Sequence, residues 1–268
     1  MNKENSGHNL ESLDIVSIAT NQYVEYWLAM VDSANNLLEK DSQITFHVFT
    51  DQPDMCAKKS KIFEKVQIEP HIIPGYQWPD ATLLRYKIIL EHQQFFRSKN
   101  LMHLDSDMIF LKSPNEILET GPWRKEIALV QHPGFYRPQN FQKIKFYSTN
   151  KGRLFEDFLR KKENGALGEW ETRVNSVAYV EKQKRKSYVC GATWIGKRDP
   201  ILRMVWELKQ MVDEDLSNSI IAKWNDESYL NKWASDNEHH ELSPSFCYDP
   251  TYKQLVAERP CIEAVRKP

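Results

Sequence analysis

The sequence predicts a single α/β domain in which a mostly parallel, Rossmann-like sheet is flanked by helices and divided into two lobes. Three observations predict it. Apolar segments of strand period and helix period alternate through the first half of the chain, and that alternation lays successive strands parallel with helices over the sheet faces. The composition, 41% hydrophobic and 12% aromatic with 8 Trp, supports a sizeable core in 268 residues and excludes a disordered chain. No internal repeat and no linker-like stretch interrupts it. One domain over residues 12–268 is therefore expected, with lobes at 12–130 and 131–268 and a flexible tail at 1–11.

The elements follow from local pattern. Residues 14–19 (DIVSIA) form a continuous apolar run of strand length. In 23–38, Val24, Trp27, Leu28, Val31, Ala34, Leu37 and Leu38 recur at helical spacing. Residues 44–50 (ITFHVFT) alternate as a strand does, and Asp51-Gln52-Pro53 is expected to close it in a turn. A third strand is expected over 66–73 and a helix over 81–96, followed by a strand leading to Asp105. Another short strand falls at 127–130. Residues 137–169 are polar and basic and are expected to be an irregular excursion. A strand over 188–195 and helices over 201–212 and 226–234 complete the pattern.

The most informative stretch is Leu101-Met102-His103-Leu104-Asp105-Ser106-Asp107-Met108-Ile109-Phe110. In extended chain, side chains two apart share one side, so Asp105 and Asp107 present two hard oxygen ligands together. That suits Mn²⁺ or Mg²⁺ with coordination positions left for phosphate oxygens. Strand ends in α/β sheets are also where nucleotides bind. The same spacing occurs in turns, where Asp bonds nearby backbone. The motif points to an enzyme that holds a nucleoside diphosphate through a divalent metal.

Other functions are disfavoured. With 36 basic and 37 acidic residues the net charge is −1, and a nucleic-acid binder carries a basic excess. No apolar run reaches the length of a transmembrane segment, and Met1 to Leu10 carries no signal-peptide core. A soluble, cytoplasmic protein is expected. Cys56, Cys190, Cys247 and Cys261 are scattered as ordinary reduced thiols are. The basic run Lys182, Lys184, Arg185 and Lys186 reads as a solvated loop, with contact to anionic lipid or glycan as the alternative.

Several segments in order resemble one family. They are Val48-Phe49-Thr50-Asp51-Gln52-Pro53, Asp105-Ser106-Asp107-Met108, His132-Pro133-Gly134-Phe135-Tyr136, Trp224-Asn225-Asp226-Glu227-Ser228-Tyr229-Leu230-Asn231-Lys232, Leu242-Ser243-Pro244 and Ala264-Val265-Arg266-Lys267-Pro268. From about Ile15 to Pro268 the chain is similar to the retaining glycosyltransferases of the histo-blood-group A/B and α-1,3-galactosyltransferase family, of the soluble microbial or viral kind. The resemblance implies a GT-A fold with a nucleotide-binding lobe first and an acceptor and catalytic lobe second. It implies transfer of galactose or N-acetylgalactosamine from UDP-galactose or UDP-N-acetylgalactosamine to a galactoside glycan, in an α-1,3 linkage with retention.

By the same resemblance, Asp105 and Asp107 hold Mn²⁺ (or Mg²⁺) and, with Ser106, the diphosphate. Glu227 is the carboxylate beside the reacting sugar carbon. Ile18, Ala19, Thr20 and Tyr23 form the uridine pocket, and Arg85 and Asp226 grip the donor sugar. Cys190, Gly191 and Ala192 lie where donor choice is set, and Arg266 closes over the diphosphate. His132, Trp224, Asn225 and Ser245 match acceptor contacts. Closure of 75–84 and of the tail after Pro260 over bound UDP is expected.

The chain departs from the family pattern in places. Ser106 stands for a Val, Asn225 for a His, Ser245 for a Glu, and Pro260 where a Lys is expected, with Arg259 beside it. Ala192 is galactose-like, while the small Cys190 leaves room for an acetamido group, so the donor stays open. Two other readings remain. One is a phosphohydrolase with Asp105 as nucleophile and Asp107 as acid. The other is a transferase fold that binds glycan without turnover. Outside the resemblance, Asp226 and Glu227 suit a helix N-terminus for dipole reasons alone, and Tyr23 and Trp224 suit a core.

Overall fold

The structure, a computed structural model, describes residues 12–39, 42–120, 126–252 and 259–266. The tail expected at 1–11 lies outside the described residues. In chain order the first half comprises β1 (Leu13–Ile18), α1 (Tyr23–Leu37), β2 (Ile44–Thr50), α2 (Pro53–Ser60), β3 (Gln67–Ile72), α3 (Asp80–Leu83), α4 (Arg85–Glu91), β4 (Asn100–Leu104), β5 (Met108–Phe110), α5 (Pro114–Thr120) and β6 (Ile127–Gln131). The second comprises α6 (Asn140–Thr149), α7 (Lys151–Asn164), β7 (Val189–Lys197), α8 (Arg198–Ser217), α9 (Asn225–Asp236), β8 (His240–Leu242) and β9 (Ile262–Ala264).

Seven strands form one sheet in the order β3-β2-β1-β4-β7-β6-β8. The first four are parallel, β7 runs antiparallel to both β4 and β6, and β8 is parallel to β6. The expected α/β class and mostly parallel sheet are observed, in a GT-A-like arrangement. Alternation along β4 separates the two core layers. Met102 and Leu104 join Trp27, Met30 and Phe46 beneath α1, while Leu101 joins Tyr86, Trp194, Leu208 and Tyr229 beneath α4, α8 and α9. Because β7 inserts between β4 and β6, both halves of the sequence share one sheet.

Several elements differ from expectation. Pro53 opens α2 rather than a turn; a first-turn residue needs no intrahelical N–H, so Pro suits that position. The helix expected over 81–96 is α3, α4 and a 3₁₀ turn at Gln93–Phe95. Residues 137–169 are not irregular but contain α6 and α7. Helix α8 runs beyond 201–212 at both ends, with Asp215 buried near its last turn. The three-residue strands β8 and β9 are too short to stand out as a periodic pattern. Among the described residues no helix is long and apolar enough to cross a membrane.

Candidate active site

The cleft opens at the carboxyl end of β1 and β4. About 540 Å³ in volume, it is lined by Ile18, Thr20 and Tyr23 on one side, by Tyr76, Trp78 and Thr82 on another, and by Arg85, His103, Asp105, Ser106 and Asp107 at its base. Its first wall is braced by the Thr50-Asp51-Gln52 segment. Asp51 Oδ1 accepts from the Asn21 backbone N–H at 3.0 Å, and Gln52 Nε2 donates to the Asn21 carbonyl at 2.8 Å. Asn21 has φ of 55°, a conformation Asn tolerates better than most residues. The Thr20 hydroxyl donates to the Tyr76 carbonyl at 2.7 Å, tying this wall to the loop before α3. Ala19 is fully buried behind it, its N–H bonded to the Phe49 carbonyl.

Sheet register places the aspartates. The Asp105 N–H donates to the Ala192 carbonyl at 2.9 Å, and the Asp107 carbonyl accepts from the Val265 N–H at 2.7 Å. Pairing of β5 with β9 therefore brings the C-terminal segment, with exposed Arg266, beside the aspartates. Arg85, the first residue of α4, is buried in the middle of the site. Its Nη2 lies 3.0 Å from Asp105 Oδ1, and its Nη1 lies 3.2 Å from Asp226 Oδ2 and 3.1 Å from the Gly191 carbonyl. These carboxylates hold its pKa above the ordinary arginine value against the opposing effect of burial.

His103 completes the junction. Its Nε2 is 2.9 Å from Arg85 Nη1 and 3.2 Å from Asp105 Oδ1. A guanidinium only donates, so Nε2 is the acceptor and carries no proton for Asp105. Burial, with Arg85 adjacent, pushes the His103 pKa down to about 4, consistent with a neutral ring.

Helix α9 delivers the other two carboxylates in its first turn. Glu227 Oε2 accepts from the Gly191 N–H at 2.8 Å, and the Tyr188 hydroxyl, 3.4 Å from the Glu169 carbonyl, is close enough to interact with it electrostatically. Burial pushes both Asp226 and Glu227 up to about 7; Arg85 opposes this for Asp226, and the Gly191 hydrogen bond and the nearby Tyr188 hydroxyl oppose it for Glu227. A Cβ at position 191 would sit 3.3 Å from both Asp226 Oδ2 and Glu227 Cβ, so glycine permits this approach of α9 to β7. The Asn231 side chain secures the same junction. Its Oδ1 accepts from the Val189 N–H at 2.8 Å, and its Nδ2 donates to the Val189 and Glu227 carbonyls, each at 2.9 Å.

The remaining expected residues fall around this centre. Cys190 is buried with its Sγ 3.1 Å from Cys247 Sγ, so its side chain packs in the core; Ala192 is half-buried against the same layer. His132 packs against Phe135 and Tyr188, accepts from the Gly134 N–H at 3.1 Å, and is pushed down to about 4 by burial. Trp224 is exposed at the entry to α9, and Asn225 is buried there with φ of 45°. Ser245 is buried in a 3₁₀ turn with its hydroxyl 2.7 Å from Ser243 Oγ. His103, Tyr188, Tyr76 and Trp78 belong to the site but were not singled out in the sequence. His103 stands two residues before Asp105 in the quoted motif, a spacing that puts both side chains on one side of extended chain, and that is its only signal in the sequence.

A divalent ion fits the donor set. Asp105 and Asp107 line the base of the cleft, and Arg85 joins Asp105 to Asp226 behind it; an acidic site repels a diphosphate without a further cation. Two carboxylates supply hard oxygen ligands and leave positions for phosphate and water. Elsewhere, the ligand atoms of His47, Glu69 and His71 lie within 4.8 Å of one another. The two imidazoles already face each other at 3.1 Å, where one shared proton satisfies both. Nitrogen-rich sites suit zinc rather than the metals that bind diphosphates.

Comparison with known proteins points to glycosyltransferases. The family model for glycosyltransferase family 6 matches residues 158–266. The O-antigen biosynthesis glycosyltransferase WbnI of Escherichia coli is 23% identical over 244 residues, covering 90% of this chain and 89% of that protein. Histo-blood group ABO system transferase 2 of Rattus norvegicus is 24% identical over 243 residues, and globoside alpha-1,3-N-acetylgalactosaminyltransferase 1 of Homo sapiens is 20% identical over 250 residues. Each of these alignments covers 89% of this chain but only 64% and 61%, respectively, of those longer proteins. Residues 158–266 thus match the glycosyltransferase family 6 model, and the chain is similar over most of its length to glycosyltransferases, as the sequence motifs led one to expect.

Proposed function

We propose that this protein is a metal-dependent retaining hexosyltransferase that moves galactose or N-acetylgalactosamine from a UDP-sugar to a galactoside glycan in an α-1,3 linkage. The observation that carries the proposal is the Arg85 junction. It joins Asp105, at the metal-type motif, to Asp226, next to Glu227, with guanidinium contacts of 3.0 and 3.2 Å. A diphosphate-binding end and a sugar-handling end are thereby held in one rigid unit.

Asp105 and Asp107 would hold Mn²⁺ or Mg²⁺, which would offset the negative charge that grows on UDP as the sugar bond breaks. The wall of Ile18, Thr20 and Tyr23 offers a half-apolar surface for a base and ribose. Arg85 and Asp226 offer one donor and one acceptor to sugar hydroxyls. The Gly191 N–H holds Glu227 in orientation, as a carboxylate opposite oxocarbenium character requires. That geometry serves a nucleophile and an electrostatic stabiliser equally. In this reading His132, Trp224 and Asn225 would meet the acceptor and Arg266 the diphosphate. The two lobes of this reading, 12–130 for the nucleotide and 131–268 for acceptor and catalysis, meet at Arg85 and Gly191.

The test is UDP release from UDP-galactose and UDP-N-acetylgalactosamine with lactose or a fucosylated galactoside, in Mn²⁺ and in chelator. Release from one donor that stops in chelator is expected, with a loss of about 100-fold or more in Asp107→Asn. Full activity in chelator or in that variant would reject the metal role. Tight UDP binding without turnover on any acceptor would favour the glycan-binding reading instead.

A further inference from the structure

The α6–α7 hairpin carries a surface that the cleft chemistry does not use. Along α7, Leu154, Phe155, Phe158 and Leu159 form one apolar stripe, and the two Phe side chains are 65% and 63% exposed. Phe141 and Ile144 on α6 are 78% and 67% exposed. The only described buried residue of α7 is Asp157. At 100° per residue, Asp157 points about 130° away from the centre of the stripe. It receives a bidentate contact from buried Arg137, at 2.5 and 2.8 Å, and a hydrogen bond from Tyr147 at 2.9 Å. The buried ion pair thus clamps the polar back of α7 to the body and turns the apolar stripe outward.

Charge distinguishes this face further. Residues 140–164 contain seven basic residues, Lys143, Lys145, Lys151, Arg153, Arg160, Lys161 and Lys162, against three acidic ones, in a chain whose net charge is −1. Exposed Lys182 adjoins it, its Nζ donating to the Lys162 carbonyl at 2.7 Å, and Lys186 is exposed beyond it, while Arg185 is buried and Lys184 pairs with Asp236. A helix hairpin with exposed aromatic and aliphatic residues flanked by lysine and arginine is built to lie in a lipid headgroup layer.

We propose that the α6–α7 hairpin docks the protein on the surface of an anionic lipid bilayer, with the Phe and Leu stripe inserted and the basic residues among the headgroups. A second copy of the chain is a poorer occupant. A two-fold interface sets a patch against itself, which would oppose a net charge of +4 with the same charge on this segment. The proposal goes beyond the transferase reading and does not depend on turnover.

Vesicle flotation tests it, using phosphatidylcholine vesicles with and without a large fraction of phosphatidylglycerol. The wild-type protein is expected to float with the phosphatidylglycerol vesicles, and less as salt is raised. The double variant Phe155→Ser with Phe158→Ser is expected to bind about tenfold more weakly or worse. Lys161→Gln with Lys162→Gln is expected to bind about 25-fold more weakly, at about fivefold per charge. Both pairs are exposed, and an unchanged thermal midpoint checks that each variant is folded. Absence of flotation with phosphatidylglycerol vesicles, or equal flotation of the Phe variant, would overturn the proposal. A vesicle-free dimer dispersed by the Phe variant would also overturn it and assign the face to a second copy.

Discussion

Asp226 and Glu227 occupy the first turn of α9, where free N–H groups favour a carboxylate by about 0.3–1 kcal/mol. That local effect loses to burial, because both groups are pushed up to about 7. For stability the sign is unfavourable at high pH. The folded protein binds more protons than the unfolded chain between 4.5, the ordinary glutamate value, and about 7, so stability falls as pH rises across that window. Glu227→Gln removes this penalty while keeping an acceptor for the Gly191 N–H. The variant is expected to be more stable than wild type at pH 8 by about 1–2 kcal/mol, discounted for the open side of the cleft. At pH 5 the gain should be markedly smaller. Urea unfolding at the two pH values measures it, and an equal gain at both would show that Glu227 titrates normally. The dipole reading and the functional reading of these residues looked alike in the sequence. They separate only once Arg85 and Asp105, remote in sequence, are seen to surround the pair.

At the scale of elements, the site depends on how α9 meets β7. Asn231 bonds both the N–H and the carbonyl of Val189, replacing part of a strand ladder with one side chain. Asn231→Ala leaves those backbone groups without that partner and is expected to cost about 1–3 kcal/mol. Turnover should fall as well, since Gly191 and Glu227 would lose their fixed spacing. A urea midpoint equal to that of wild type would disprove the anchoring role. The 42-residue separation of Asn231 from Val189 made this contact invisible to local pattern. The helices α6 and α7 are hidden for a different reason. Leu154, Phe155, Phe158 and Leu159 do recur at helical spacing, but the polar, basic composition around them outweighs that stripe.

Over the whole molecule, the cleft lies where the parallel strands end and β7 turns the sheet antiparallel. Its outer wall, the loop bearing Tyr76 and Trp78, leans on the rest of the cleft through the Thr20 hydroxyl. Trp78 is 75% exposed and lines the cleft, placed to cover a bound nucleotide. Limited proteolysis within 75–84 is expected to slow several-fold when UDP and Mn²⁺ are added together, because closure over ligand orders such loops. The rate should not change with UDP in chelator. Equal cleavage under all conditions would mean that the wall is rigid in both states.

The α/β class, most of the strands and helices around the cleft, and the aspartate pair at a strand end are legible in the sequence. Those features follow from hydrophobic period and from residue spacing within one segment, which are local properties. The sequence also carries the family resemblance, through six motifs in order. Folding is what sets Arg85 between Asp105 and Asp226, brings His103 into that junction, and turns Cys190 and Ser245 into the protein. It alone turns the stripe of α7 outward. These outcomes depend on which distant segments the sheet order brings together and on which charges are then buried beside one another, and no single stretch of chain encodes that.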